Sequence, residues 1–238
     1  MCGRFAQYQG LADYLAELNA EQDVISGYDN VPLARYNVAP STKVHMLHGE
    51  ARGIQLGAVR WGWAPQWAKP NLPPAINARV ETVATGKYFR AIWPHRALVM
   101  ADGWYEWVKD ESDPQKKQPY FIKLKSGAPM FFAALGQYPI GDGEEKEGDG
   151  LVIITQPSDG DMLTIHDRQP VVLPPDAARR WIDPELTSAQ AEELAQTQGL
   201  TADAFEWYPV DKAVGSVRND SPELIQPTAS QRTRWSSA

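Results

Sequence analysis

Between Arg96 and Thr155 the chain holds five short apolar runs, 96–101, 104–108, 120–124, 130–138 and 151–155, with no helical period between any two of them. A parallel strand pair needs a crossover of about a dozen residues, normally a helix, so strands that follow one another directly pair antiparallel. Strands in unequal groups with scattered helices therefore predict an α+β fold, a single domain built on an antiparallel sheet or partly closed β-barrel with flanking helices, rather than a βαβ array. Asp102-Gly103 is a strong turn signal between the first two runs, 109–118 is a charged hairpin loop, and 141–150 is an acidic, glycine-rich spacer.

Leu11, Leu15 and Leu18 share one helical face, which predicts a short amphipathic helix over 11–18. An extended segment over 35–40 ends in a turn, and strands follow near 43–48 and 54–63. The aromatic, proline-laced stretch 61–74 is a loop by composition. Helical spacing through Val80, Val83, Tyr88 and Ile92 predicts a helix over 78–93, weakened by Gly86. Proline and serine signals open helices at 175–182 and 188–198, and 205–210 is a last strand. One domain is expected over 1–227, with 228–238 a polar, disordered tail.

With 43% apolar content in 238 residues, the chain can bury a full core. A single cysteine excludes an internal disulfide and a cysteine-based zinc site, and the absence of a signal-like N-terminus makes a reduced cytoplasm the expected compartment. No apolar run approaches the roughly 18–20 residues that span a bilayer, so no membrane partner is expected. The formal net charge of −7 argues against bulk nucleic-acid binding and confines any such site to a local basic cleft. His45, His48, His95 and His166 lack the paired spacing of metal ligands, and there is no phosphate-binding glycine motif. Neither a metal nor a cofactor is expected.

Cys2 is the only cysteine, and loss of Met1 would leave it bearing both an amine and a thiol. With reference pKa values of about 8 and 8.5, both are partly nucleophilic near neutrality. Such a pair can capture an aldehyde as an imine and close on it through sulfur, or the thiol can attack an acyl carbon with the amine as base. On position alone, a small apolar residue beside the start codon is the plainer reading. Four further segments are chemically loaded. Residues 76–82 carry Asn77, Arg79 and Glu81, which would favour an anion if they opened a helix, and otherwise read as a cap with a surface ion pair. In 101–107, alternation puts Trp104 and Glu106 on one strand face, where partly apolar surroundings would raise the carboxyl pKa; a solvent-facing Glu is the alternative. His166 and Arg168 sit in a proline-terminated loop, and the tryptophans of 61–67 either belong to the core or stack on unpaired bases.

The segments Cys2-Gly3-Arg4, Arg35-Tyr36-Asn37-Val38-Ala39-Pro40, Trp61-Gly62, Asn77-Ala78-Arg79, Ala101-Asp102-Gly103-Trp104-Tyr105-Glu106-Trp107, Ile165-His166-Asp167-Arg168 and Val214-Gly215-Ser216-Val217-Arg218-Asn219 together resemble the SOS-response-associated peptidase family of abasic-site processing proteins. The motifs run in family order to about Pro227, with one departure at Ser216, where members commonly carry Asn. The resemblance implies covalent capture of the abasic-site aldehyde in single-stranded DNA by Cys2 after self-removal of Met1. It assigns catalytic roles to Cys2, Asn77, Glu106 and His166, and DNA contacts to Arg4, Asn37, Trp67, Arg79 and Arg168. It further implies a monomer that associates with the bacterial nucleoid when bound to DNA, with the replication machinery as a candidate partner. An N-terminal-nucleophile amidohydrolase of the glutaminase type and a non-covalent single-strand-binding module are the competing readings.

Overall fold

The computed structural model describes residues 2–20, 23–24, 31–69, 71–109, 113, 116–141 and 143–228. In chain order, these form β1 (Phe5–Gln7), α1 (Leu11–Glu17), β2 (Arg35–Val38), β3 (Lys43–Glu50), β4 (Gly53–Arg60), β5 (Asn77–Arg79), β6 (Arg96–Ala101), β7 (Gly103–Lys109) and β8 (Lys117–Leu124). There follow β9 (Met130–Gln137), β10 (Gly150–Pro157), β11 (Arg168–Pro170), β12 (Val172–Leu173), α2 (Pro175–Trp181), α3 (Ser188–Thr197) and β13 (Phe205–Pro209). One sheet runs β13-β8-β7-β1-β2 and the other β11-β10-β9-β6-β3-β4, with β12 added on β9 and β5 on β10. The architecture is α+β, and the sheets stay separate rather than closing into a barrel. All pairings between these strands are antiparallel except that of β5 with β10.

Strand alternation explains the layering. On β6, Ala97, Val99 and Ala101 face a core shared with Phe5, Trp104, Ile122 and Phe205 of the other sheet. Leu98 and Met100 point the opposite way, into a second core with Leu11, Leu15, Ala178, Trp181, Leu194 and Ala195 of the helices. Because both faces are covered, the whole of β6 is buried, and after Arg96 it reads as a continuous apolar run. The outer face of the smaller sheet, with Tyr105 and Phe121, is capped by Val210, Val214 and Leu224. The helix expected over 11–18 forms with its three leucines buried, and the two late helices form where their opening signals placed them.

Two sequence expectations are corrected. Residues 78–93 form no helix: Asn77–Arg79 pairs with β10, and Val80 N–H donates to Thr155 O at 2.9 Å. Once the backbone is paired in the extended form, helix nucleation at that point is lost. The chain then proceeds through turns, with Val83, Ile92 and Trp93 still buried in the helix-side core, so the apolar spacing was real although the helix was not. Asp102-Gly103 likewise makes no hairpin. It is where the chain leaves the larger sheet and enters the smaller one, and Asp102 is buried there, accepting from Tyr8 N–H, Gln9 N–H, Gln9 Nε2 and Tyr14 O–H at 2.5, 3.2, 2.7 and 2.6 Å. The expected tail falls outside the described residues from 229 onward. No helix among the described residues is long and apolar enough to cross a membrane.

Candidate active site

The site lies where the inter-sheet core meets the start of the chain. Phe5 pairs with Trp104, and Tyr105 N–H donates to Arg4 O at 3.0 Å, a register that sets Gly3 opposite Glu106 and leaves the adjacent Cys2 close enough to feel the Glu106 charge. Alternation on β7 sends Trp104 and Glu106 toward the inter-sheet core, and Tyr105 away from it. Cys2 is fully buried among Phe5, Trp61, Trp104 and Ile153. Burial, and secondarily the Glu106 charge, pushes its thiol pKa well above the ordinary value, so the sulfur is held protonated. Glu106 is only 4% exposed. Desolvation lifts its carboxyl from 4.5 to about 7, and the neighbouring charge of Asp167 adds to the rise.

Asn77 reaches the site through a short relay. The buried Trp61 ring packs edge-on against Phe5, 5.2 Å between centroids, and its Nε1–H donates to Ile76 O at 2.9 Å. That fixes the residue before Asn77, whose Nδ2 donates to Cys2 O at 2.9 Å. The Asn77 Oδ1 is buried and has no hydrogen-bond partner among the described residues, an acceptor waiting for a donor. His166 sits nearer the surface, its side chain 29% exposed, with Nδ1 3.0 Å from Arg168 N–H and 2.8 Å from Asp167 Oδ1. Unprotonated Nδ1 accepts from Arg168; protonated Nδ1 donates to Asp167. A proton can thus arrive at or leave Nδ1 with a partner ready in either state. Burial holds the imidazole pKa below its usual value, against the opposing pull of Asp167, and favours the neutral ring at pH 7.

The residues expected to meet DNA divide into two sets. Arg79 and Trp67 are exposed, Trp67 at 59%, with Lys87 Nζ 5.1 Å above its ring. Arg4, Asn37 and Arg168 are engaged inside the protein. Arg4 Nη1 donates to Asn37 Oδ1 at 2.7 Å and to Val214 O at 2.9 Å. Asn37 Nδ2 contacts the carbonyls of Val214, Ser216 and Asn219 at 3.2, 3.0 and 2.8 Å. These bonds latch residues 214–219 onto the N-terminal segment; Ser216 takes part through its backbone carbonyl, and its Oγ accepts from Arg218 N–H at 3.4 Å. Arg168 grips the Glu81 carboxylate with both terminal nitrogens and Thr155 O at 2.6 Å. No helix opens at Asn77, so the anion attraction expected of a helix start is absent and Arg79 carries the exposed positive charge of that segment.

Sequence reasoning missed Asp167 as a partner of His166, the Trp61–Ile76 relay and Asp220, which accepts from Tyr36 N–H at 2.5 Å and Asn37 N–H at 3.0 Å. Asp167 could have been found from its adjacency to His166; nothing local announces Asp220. Of the tryptophans over 61–67, Trp61 and Trp63 belong to the core and Trp67 alone faces solvent. Among the described residues, no group of three His, Cys, Asp or Glu side chains could hold a metal ion.

A buried cysteine at the second position, faced by a carboxyl of raised pKa and held by an asparagine, is the candidate site of this two-sheet α+β fold. The profile of the SOS response associated peptidase (SRAP) family matches residues 1–217, and the chain belongs to that family. It is 48% identical over 228 residues to the abasic site processing protein YedK of Escherichia coli, covering 95% of this chain and all of that one. Similarity to the abasic site processing protein YoqW of Bacillus subtilis is 35% over 233 residues, covering 95% and 99%. Among solved structures, a phage-related protein of Bordetella bronchiseptica superposes with a TM-score of 0.74 at 37% identity, covering 89% of this chain and 95% of that one.

Proposed function

We propose that this protein processes abasic sites in single-stranded DNA by capturing their aldehyde as a thiazolidine on Cys2, after Met1 has been removed. The observation that carries the reading is the pairing of Cys2 with Glu106, a carboxyl titrating at about 7 beside a thiol that burial holds protonated. The α-amine of Cys2 adds to the aldehyde carbon, and loss of one water gives the imine. The thiol sulfur then bonds to the imine carbon while its proton passes through Glu106 to the nitrogen. Near pH 7 both forms of Glu106 are populated, so it can protonate the departing oxygen and accept the thiol proton without change of environment. Ring closure removes the imine before β-elimination breaks the strand.

Asn77 holds the Cys2 carbonyl and offers its open Oδ1 to a sugar hydroxyl. His166, neutral and partnered in either protonation state, assists opening of the closed sugar and the return reaction. Arg79 and Trp67 contact the strand from the exposed rim, the indole stacking on an unpaired base at about 1–3 kcal/mol. Arg4 and Asn37 act through the N-terminal segment that they latch. Cys2 and Glu106 would also serve self-removal of Met1.

Protein mixed with abasic single-stranded oligonucleotide should give a heat-stable band on a denaturing gel, and its intact mass should lack Met1. Cys2→Ser should bind the strand without a durable adduct, and one extra residue before Cys2 should abolish it. An undiminished adduct in the extended protein would overturn the thiazolidine. Equal retention of intact and abasic strands with no adduct would leave a strand-binding module, and ammonia release from glutamine without DNA would leave an amidohydrolase.

A further inference from the structure

Arg168 is nine-tenths buried, yet the carboxylate that neutralises it reaches solvent: the Glu81 side chain is 44% exposed. Nη1 and Nη2 face Oε1 and Oε2 in a fork-to-fork pair, Nη2 at 2.9 Å, while Thr155 O and Oγ1 hold Nη2 from behind at 2.6 and 3.2 Å. The Nε of the same guanidinium is buried with no partner among the described residues. Arg79 is exposed nearby, and its charge also acts on Glu81. Both arginines flank the same end of β10, Arg79 opposite Thr155 and Arg168 opposite Pro157. Each lies two residues from a site residue, Arg79 from Asn77 and Arg168 from His166.

A guanidinium fork accepts a carboxylate or a phosphate with the same geometry. A buried arginine is costly without an anion, so whichever anion occupies the fork excludes the other. We propose that Glu81 is a specificity-determining residue that occupies, in the free protein, the place where Arg168 and Arg79 receive a phosphodiester of the incoming strand. This inference rests on the single-strand reading above. Glu81 sets a threshold: only a strand that brings a phosphate within reach of both arginines while another part engages the site displaces the carboxylate, so undamaged strands are held weakly. Side-chain hydrogen bonding to Arg168 keeps Glu81 ionised, and the lock is therefore present at neutral pH.

The test is fluorescence anisotropy with intact single-stranded oligonucleotide over a salt series, comparing parental protein, Glu81→Gln and, as a control removing the same charge from α3, Glu192→Gln. Glu81→Gln should bind about 3–10-fold more tightly at low salt, and its slope of log affinity against log salt should steepen by about 0.7, the value of one additional single-strand phosphate contact. Glu192→Gln should leave the slope unchanged. An equal or weaker affinity for Glu81→Gln with an unaltered slope would overturn the proposal and leave Glu81 a support for Arg168. Should Glu81→Gln not fold, the Arg168 Nε–H resonance in the parental protein decides: a shift on adding the strand supports displacement of Glu81, and a stationary resonance overturns it. The denaturing gel runs on the same parental sample. A missing adduct with the slope change present refutes the covalent reading alone, an adduct with no slope change refutes this inference alone, and no strand binding by any variant refutes both.

Discussion

Glu106 concentrates the conflict between stability and chemistry in one side chain. Its carboxyl titrates at about 7 in the fold against an ordinary 4.5, so the folded state binds the proton more tightly than the unfolded chain does. The contribution to stability is full below 4.5 and is lost as pH rises to about 7, above which a buried charge must be carried. Glu106→Gln keeps the shape and removes that charge. It should match the parental protein in thermal stability near pH 4 and exceed it at pH 8 by up to about 3 kcal/mol, at about 1.36 kcal/mol per pKa unit. Adduct formation at pH 7 should meanwhile slow by about 10²–10⁴. Melting curves at the two pH values and single-turnover gels measure both effects; a melting difference that ignores pH would refute the burial argument.

At the scale of the element, β7 carries the site because it fits closely against β8. A Cβ placed on Gly103 would lie 2.2 Å from Phe121 Cζ and 2.7 Å from Ile122 O, both fixed in the neighbouring strand. Gly103 is therefore the residue that lets β7 begin directly after the crossing from the larger sheet, one position before Trp104 and three before Glu106. Gly103→Ala should cost about 1–3 kcal/mol, the usual penalty for overpacking, and read out as a lower denaturant midpoint. An unchanged midpoint would mean that Phe121 can withdraw and that the strand spacing is looser than its contacts indicate. Residues 78–93 teach the complementary lesson about elements: apolar spacing reports which side chains are buried, whereas the hydrogen-bond partner, here β10, decides whether the backbone is helix or strand.

At the scale of the molecule, two tertiary ties bring the chain start to the site. The Arg4–Asn37 latch gathers residues 214–219 onto it, and Asp102 fastens Tyr8, Gln9 and α1 to the crossing between sheets. Asp102→Ala strands several buried donors at once, each costing about 1–3 kcal/mol when left unpaired, so a loss of about 3 kcal/mol or more is expected. Hydrogen exchange should show faster opening of β1 than of β9 in that variant. Equal protection of the two strands would show that the N-terminal segment is held by packing alone.

By itself the sequence determined the α+β class, most strands, the three helices and the pairing of Trp104 with Glu106 on one face, because periodicity and turn chemistry are local and survive in a single chain. It also placed Cys2, Asn77, Glu106 and His166 as residues of interest, through motifs that carry the family resemblance. Only the tertiary structure decided that Cys2 lies beside Glu106, that Asn77 holds Cys2, and that Asp167 stands against His166. It also decided which arginines are engaged: Arg79 faces solvent, while Arg168 is committed to Glu81 and Arg4 to Asn37 and Val214. The physical reason is that charge, burial and hydrogen-bond partners depend on residues distant in sequence. The register of two sheets, rather than any local pattern, brings those residues together.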